Sequence, residues 1–323
     1  MKRNAFAFLS GSALACSIAL AIHPALAAEE NDKTGEPDST KTARHASPFR
    51  AEISAGVEYD SNISVEQIDQ NTGNDDFAAL INADFGYRKK FEGGTDLDVS
   101  YNFSQSLYND FTNFDLQTHF ASADLSHDFG GVNVGAAYRF IYTRLGGDGF
   151  LAMQQASPYA STFIGKKFFV RVDYTYADKN FIDRADRDAK SNAGNADLYW
   201  FVKGVRTYFA VGYGYEKEDA VDPQFDFAAN KVKVRFSKRI PMGRNHATFK
   251  LGWRFEARDY SSITPSIGVK RNDRRHRLQS ELEIPLTKHV FGVVEFDHNI
   301  YDSNLPSADY TENVVGARLG FRT

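Results

Sequence analysis

From Phe49 onward the chain alternates apolar and polar residues with a period of two, in one segment after another, up to its last residues. In the first segment Phe49, Ala51, Ile53, Ala55, Val57 and Tyr59 point one way, while Arg50, Glu52, Ser54, Gly56, Glu58 and Asp60 point the other. Successive side chains of a strand lie on opposite faces, so this pattern is a strand with one apolar and one polar face. The last segment repeats it: Val315, Ala317, Leu319 and Phe321 alternate with Gly316, Arg318 and Gly320. A chain built this way throughout must bury its apolar faces in a sandwich core or present them to lipid around a closed barrel.

Two features favour lipid. The first lies in the connections. The sequence reads as about fourteen strands, an even number, with long loops after odd strands and short turns after even ones, which puts both ends of the barrel segment on the short-turn, periplasmic side. A soluble sandwich or propeller has no need of that asymmetry. The expected fold class is all-β, a transmembrane antiparallel up-and-down β-barrel over 49–323. The second feature is the N-terminus. Lys2 and Arg3 precede an apolar run through Ile22, and Ala25-Leu26-Ala27 forms an A-x-A site, so 1–27 reads as a signal peptide. Ala13-Leu14-Ala15-Cys16 loosely resembles a lipoprotein box, an alternative in which Cys16 is lipidated. The polar, aperiodic segment 28–48 reads as a disordered periplasmic tail.

Composition agrees where it bears on the question. Phe 27 and Tyr 16 against Trp 2 suit strands and aromatic girdles, and a mean hydropathy of -0.45 excludes a bundle of membrane helices. A net charge of -4 argues against nucleic acid as a partner. The implied partners are outer-membrane lipids and lipopolysaccharide, with the barrel assembly machinery needed for insertion. Arg271, Arg274, Arg275 and Arg277 cluster near the outer rim, where they could meet lipopolysaccharide phosphates or simply be solvated.

The inward face carries the candidate site. Lys231, Lys233, Arg235 and Arg239 lie on the tenth strand, Lys250, Arg254 and Arg258 on the eleventh, and Arg277 on the twelfth. Asp84, Asp98, Asp124 and Asp128 lie on the far side. A basic wall facing an acidic wall would set a field across the lumen and favour anionic or zwitterionic cargo. Alternatively the charges pair across the lumen, or with Glu256, Glu281 and Glu283, and close it. About fourteen strands is narrower than the open porins, so an inward loop could occlude it. The glycine-rich stretch 144–157 is a candidate for such a loop, or else is a surface loop. Asp178, Asp183, Asp186 and Asp188 share a loop but lack EF-hand spacing. The scattered histidines form no metal pair or nucleophilic motif. The sequence therefore suggests no enzyme, no catalytic residue, no cofactor and no metal.

Tyr59-Asp60-Ser61-Asn62-Ile63 is echoed by Tyr301-Asp302-Ser303-Asn304-Leu305. The run Ser303-Asn304-Leu305-Pro306, then Asp309-Tyr310 and Asn313, resembles the C-terminal end of surface lipoprotein assembly modulators, as does RNDRRHRL at 271–278. The resemblance implies a fourteen-stranded outer-membrane barrel. Those translocators carry a periplasmic tetratricopeptide-repeat domain, for which 28–48 is too short, so lipoprotein export would need a separate periplasmic partner. Two functions remain from the sequence: a transport or translocation barrel, and a closed structural barrel whose loops bind lipopolysaccharide or other partners.

Overall fold

The computed structural model describes residues 47–323 apart from Arg244. The signal peptide read at 1–27 and nearly all of the tail read at 28–48 lie outside the described residues. Fourteen antiparallel strands close into one barrel. They are β1 (Phe49–Asp60), β2 (Asp76–Lys90), β3 (Thr95–Tyr108), β4 (Leu116–Asp128), β5 (Val132–Leu145), β6 (Asp148–Ile164) and β7 (Phe168–Phe181). The second half comprises β8 (Ala189–Phe201), β9 (Thr207–Ala220), β10 (Phe227–Met242), β11 (Asn245–Thr264), β12 (Val269–Pro285), β13 (Val290–Ser303) and β14 (Tyr310–Arg322). Each pairs with its neighbours in sequence, and β14 closes on β1 from Glu52↔Arg322 to Asp60↔Val314.

The faces follow the period-2 reading. Ile53, Val57, Ile81, Leu125, Val172, Leu198, Val211, Val294 and Leu319 are exposed on the outside, flanked by rings such as Phe49, Tyr138, Tyr213 and Phe321. Such a belt is unstable in water and matches the hydrocarbon zone of a bilayer with its aromatic girdles. The inside is polar, with Ser54, Asn102, Arg139, Asp197, Glu281 and Asn299 buried there.

Several connections are shorter than the sequence suggests. The stretch 144–157 is not a loop. Gly146 and Gly147, at φ 58° and 90°, make a two-residue turn between β5 and β6, and β6 runs through the rest. Positive φ at both central positions is the requirement of a type I′ hairpin, which glycine meets without strain. The connection between β11 and β12 is likewise short, 265–268, where polar sequence continues well into both strands. The physical reason is common to both. Beyond the membrane a hairpin can be polar on both faces and keep its ladder, so alternation fades before pairing does. The long/short asymmetry is correspondingly weaker than expected. The outer connection that stays long is 61–75.

Val211 lies mid-strand on the lipid face, between Phe209 and Tyr213. Val211→Arg is expected to destabilise the barrel in bilayers by about 2–4 kcal/mol, with Val211→Leu near neutral, as read by denaturant unfolding. Equal effects of the two would contradict the assignment of this face.

Candidate functional site

The 61–75 segment folds inward across the outer mouth. Ser64–Val65 pairs with Gln70–Asn71, and a 3-10 turn at Glu66–Ile68 closes the small hairpin, with Asp69 in the left-handed region at φ 55°. Its root is tied to β14: Ser64 Oγ donates to Glu312 at 2.8 Å, and Asn62 Nδ2 donates to the Thr311 carbonyl at 3.3 Å. Three apolar residues of this polar loop are buried. Ile63 packs against Ala78 and Tyr108, while Val65 and Ile68 pack against Phe150 and Leu151, with Phe181 beside them. Since β6 and β7 lie almost opposite β1 in a closed ring of this size, the loop spans the mouth from wall to wall. Burying each of these side chains stabilises the inward position by roughly 1.5–3 kcal/mol.

Arginines then pin the hairpin. Arg271 donates to Asp69 at 2.7 Å and to Asp273 at 2.8 Å, and Arg187 reaches Asp69 and the Gln67 carbonyl, both at 2.9 Å. Glu66 takes Arg275, Arg277 at 3.4 Å and Arg258 at 4.0 Å. Burial pushes the Asp69 carboxyl up, but Arg271 and Arg187 outweigh it and bring it from 3.8 down to about 2. Arg271, Arg275 and Arg277 therefore face the lumen and serve the loop, which corrects the expectation of an outer lipopolysaccharide cluster. Arg274 alone of that group turns to the other face, half-buried and paired with Asp259 at 3.0 Å. Alternation at 271, 273, 275 and 277 sends these side chains inward with Asp273, a signal already present in the sequence.

Asp128 excepted, the residues of the two expected walls lie on the inner face, and most of them are paired there. Lys231 meets Glu216, and Glu256 at 3.6 Å; Lys233 meets Asp197 at 2.9 Å; Lys250 meets Glu281 at 2.8 Å; Arg258 meets Glu256 through a 2.6 Å contact. Arg235 donates to Tyr199 Oη at 2.8 Å, and Arg239 follows on the same face toward the short turns. Opposite them, Asp84 meets Arg50 at 3.6 Å, Asp98 meets Arg88 at 2.7 Å, and Asp124 accepts from Tyr159 Oη at 2.7 Å. Asp128 is exposed and caps a turn, accepting from the Gly131 N–H at 2.7 Å, so it does not belong to the lumen wall. The pairing is between near strands, not across the lumen. Sequence reasoning missed a second acidic strip, Glu58, Asp60, Glu295, Asp297 and Glu312, buried where the barrel closes.

Beside the hairpin remains a cavity of about 70 Å³, lined among others by Gln67, Lys179, Arg187, Glu218, Lys231 and Tyr260. Charged side chains from β7 to β11 thus line a cavity beside the hairpin at the outer mouth.

No protein-family profile matches the chain, and no curated protein does either. Solved structures do resemble it. CdiB from Acinetobacter baumannii aligns at 11% identity and TM-score 0.50, over 86% of this chain and 60% of that one. The trimer form of OmpT, an outer membrane protein of Vibrio cholerae, aligns at 8% identity and TM-score 0.50, over 85% and 98%. An anion-selective porin from Comamonas acidovorans aligns at 8% identity and TM-score 0.49, over 85% and 98%. The fold is that of an outer-membrane β-barrel. Together with the apolar belt, it places the chain in a bacterial outer membrane. The resemblance to surface lipoprotein assembly modulators gains no support from these matches, and only the barrel carries forward.

Removing one partner of a buried ion pair costs about 3–5 kcal/mol, because the other charge is left unpaired. Arg271→Ala is therefore expected to speed amide hydrogen exchange across 61–75 by about a hundredfold or more, with β1–β14 little changed. Unchanged exchange would mean that the arginines do not hold the loop. A carboxyl whose value is depressed on folding contributes above its unfolded value and loses that contribution as pH falls through the folded one. The Asp69 contacts should therefore be intact at pH 4 and weaken only toward pH 2. Limited proteolysis of the loop, compared at pH 4 and 7 with proteases suited to each, checks this.

Proposed function

We propose that the protein is a transport barrel for small polar solutes, with 61–75 as a resident constriction of its outer mouth. The observation that carries this reading is the hairpin itself, which crosses the mouth, is fastened to its rim, and leaves a charged gap. A barrel serving only as a scaffold has no need of a gap lined by Lys179, Lys231 and Glu218. Paired charges on the wall give a polar, water-compatible path whose walls neither trap ions strongly nor repel them, as conduction requires. Loop contacts made of several moderate pieces, three apolar side chains and two carboxylates, suit a segment that opens without unfolding the barrel.

The test is single-channel conductance in planar bilayers. The full-length mature protein should give small, stable currents, and replacing 62–74 by two glycines should raise them several-fold. The several-fold rise on replacing 62–74 should be seen at both pH 4 and pH 7, because the Asp69 contacts hold the hairpin in place over that range. Silence from both forms would overturn the transport reading and favour a closed barrel whose loops bind partners.

A further inference from the structure

Below the hairpin the lumen holds cationic side chains that the barrel does not satisfy. Arg254, on β11, faces inward and makes no ion pair or hydrogen bond among the described residues. It sits directly opposite Lys233 on β10 and Arg277 on β12. Like charges in directly opposed positions repel, and here three stand in one row. Lys233 is answered by Asp197 and Arg277 shares Glu66, so Arg254 is the member left over. On β11 and β12 together, the arginines 254, 258, 271, 275 and 277 have only Glu66, Asp69, Glu256 and Asp273 as carboxylate partners. The set is short of an anion, and the shortfall lies at Arg254.

One rung toward the periplasm a different surface begins. Arg235 donates from Nη2 to Tyr199 Oη at 2.8 Å, while its Nε is buried without an acceptor. Tyr199 belongs to an inward-facing aromatic group with Phe201, Phe169 and Tyr208, whose ring centroids lie 5.8 to 6.3 Å apart. Arg171 on β7 stacks on Tyr159 at 3.5 Å, and it too has a buried Nε with no acceptor. Tyr199 and Phe201 are buried within that group, whereas Phe169 and Tyr208 are half-buried and keep part of their rings open to the lumen. Spare guanidinium donors beside aromatic faces recognise one kind of partner well: an acidic group on a flat or ring-shaped framework.

We propose that the middle of the lumen is a binding site for a ring-bearing organic anion, with Arg254 and Arg235 taking its carboxylate or phosphate and the half-buried rings of Phe169 and Tyr208 taking its ring. This deepens the transport reading by naming the class of solute. A molecule entering through the gap beside Glu66 meets Arg254 first, then Arg235, then the rings. Multiple weak stations along a path allow entry without trapping.

The experiment is titration calorimetry on the detergent-solubilised barrel with benzoate and phenyl phosphate as probes, and acetate and benzyl alcohol as comparators. Benzoate or phenyl phosphate should bind at least tenfold more tightly than acetate or benzyl alcohol. Whichever of the two binds tighter identifies the acidic group. Arg254→Gln should weaken that binding at least tenfold, Arg254→Lys less, and Tyr208→Leu should reduce the advantage over acetate. Arg254→Gln leaves no carboxylate unpaired, so its thermal unfolding temperature should equal or exceed that of the parent, which separates lost binding from lost folding. Equal affinity for all four probes, or binding untouched by Arg254→Gln, would overturn the site. Binding does not require conduction. A silent bilayer with tight benzoate binding sinks only the transport reading, and an open channel without selective binding sinks only the site.

Discussion

The structure depends on the closure of β14 on β1. In hydrocarbon no water is available to an unpaired N–H or C=O, so a sheet crosses a membrane only if it has no edge. The pairing from Glu52↔Arg322 to Asp60↔Val314 removes both edges at once. Everything else follows from a ring of fixed circumference. Apolar side chains face out, polar ones face in, and β10–β12 stand opposite β3–β5. Closure also brings Glu58 and Asp60 against Glu312, an acidic strip at the root of 61–75. The loop leaves the barrel beside that strip and finds its cations on the other walls.

That asymmetry explains why this loop folds inward. Arg258, Arg271, Arg275 and Arg277 crowd a short length of β11 and β12, facing inward, and could not be packed so closely without nearby carboxylates. Asp273 and Glu256 supply part of the need, while Glu66 and Asp69 on the loop supply the rest. The wall thus selects the loop as much as the loop closes the wall. Ile63, Val65 and Ile68 give the same position an apolar hold that is independent of charge. Arg254, directly opposite Lys233 and Arg277, is the member of this wall that makes no ion pair of its own among the described residues.

Much of the fold was legible in the sequence because the physics behind it is local. Alternation at Phe49–Asp60 or Val315 to Phe321 states which face meets lipid, and fourteen such segments state a closed ring. The basic wall was legible for the same reason: residues two apart on a strand share a face. What was hidden depends on pairing between distant segments. Polar hairpins outside the membrane lose their alternation, so 144–157 reads as a loop although Gly146 and Gly147 turn it back into strand. The inward loop was sought at that glycine-rich stretch and lies at 61–75, where three apolar residues in polar company were the available signal. Parity already places Arg277 on the inner wall, and the same parity carries Arg271 and Arg275 with it, which their position near the rim obscures. For the lumen charges the sequence leaves two arrangements open, opposed walls or pairing, and pairs with near partners such as Glu256 and Glu281 form because attraction falls off with distance and a near partner needs no bridge across water.

The central claim is that 61–75 lies inside the barrel mouth, fastened at both its apolar and its acidic residues. Cysteine labelling tests it most directly. Ile68, 4% exposed, and Val221, 67% exposed, are each replaced by cysteine in the mature protein, reconstituted in lipid vesicles, and treated with a bulky water-soluble maleimide. The account predicts rapid labelling of Val221→Cys and protection of Ile68→Cys, with protection lost when Arg271→Ala is added. Equal labelling of the two single variants would contradict it.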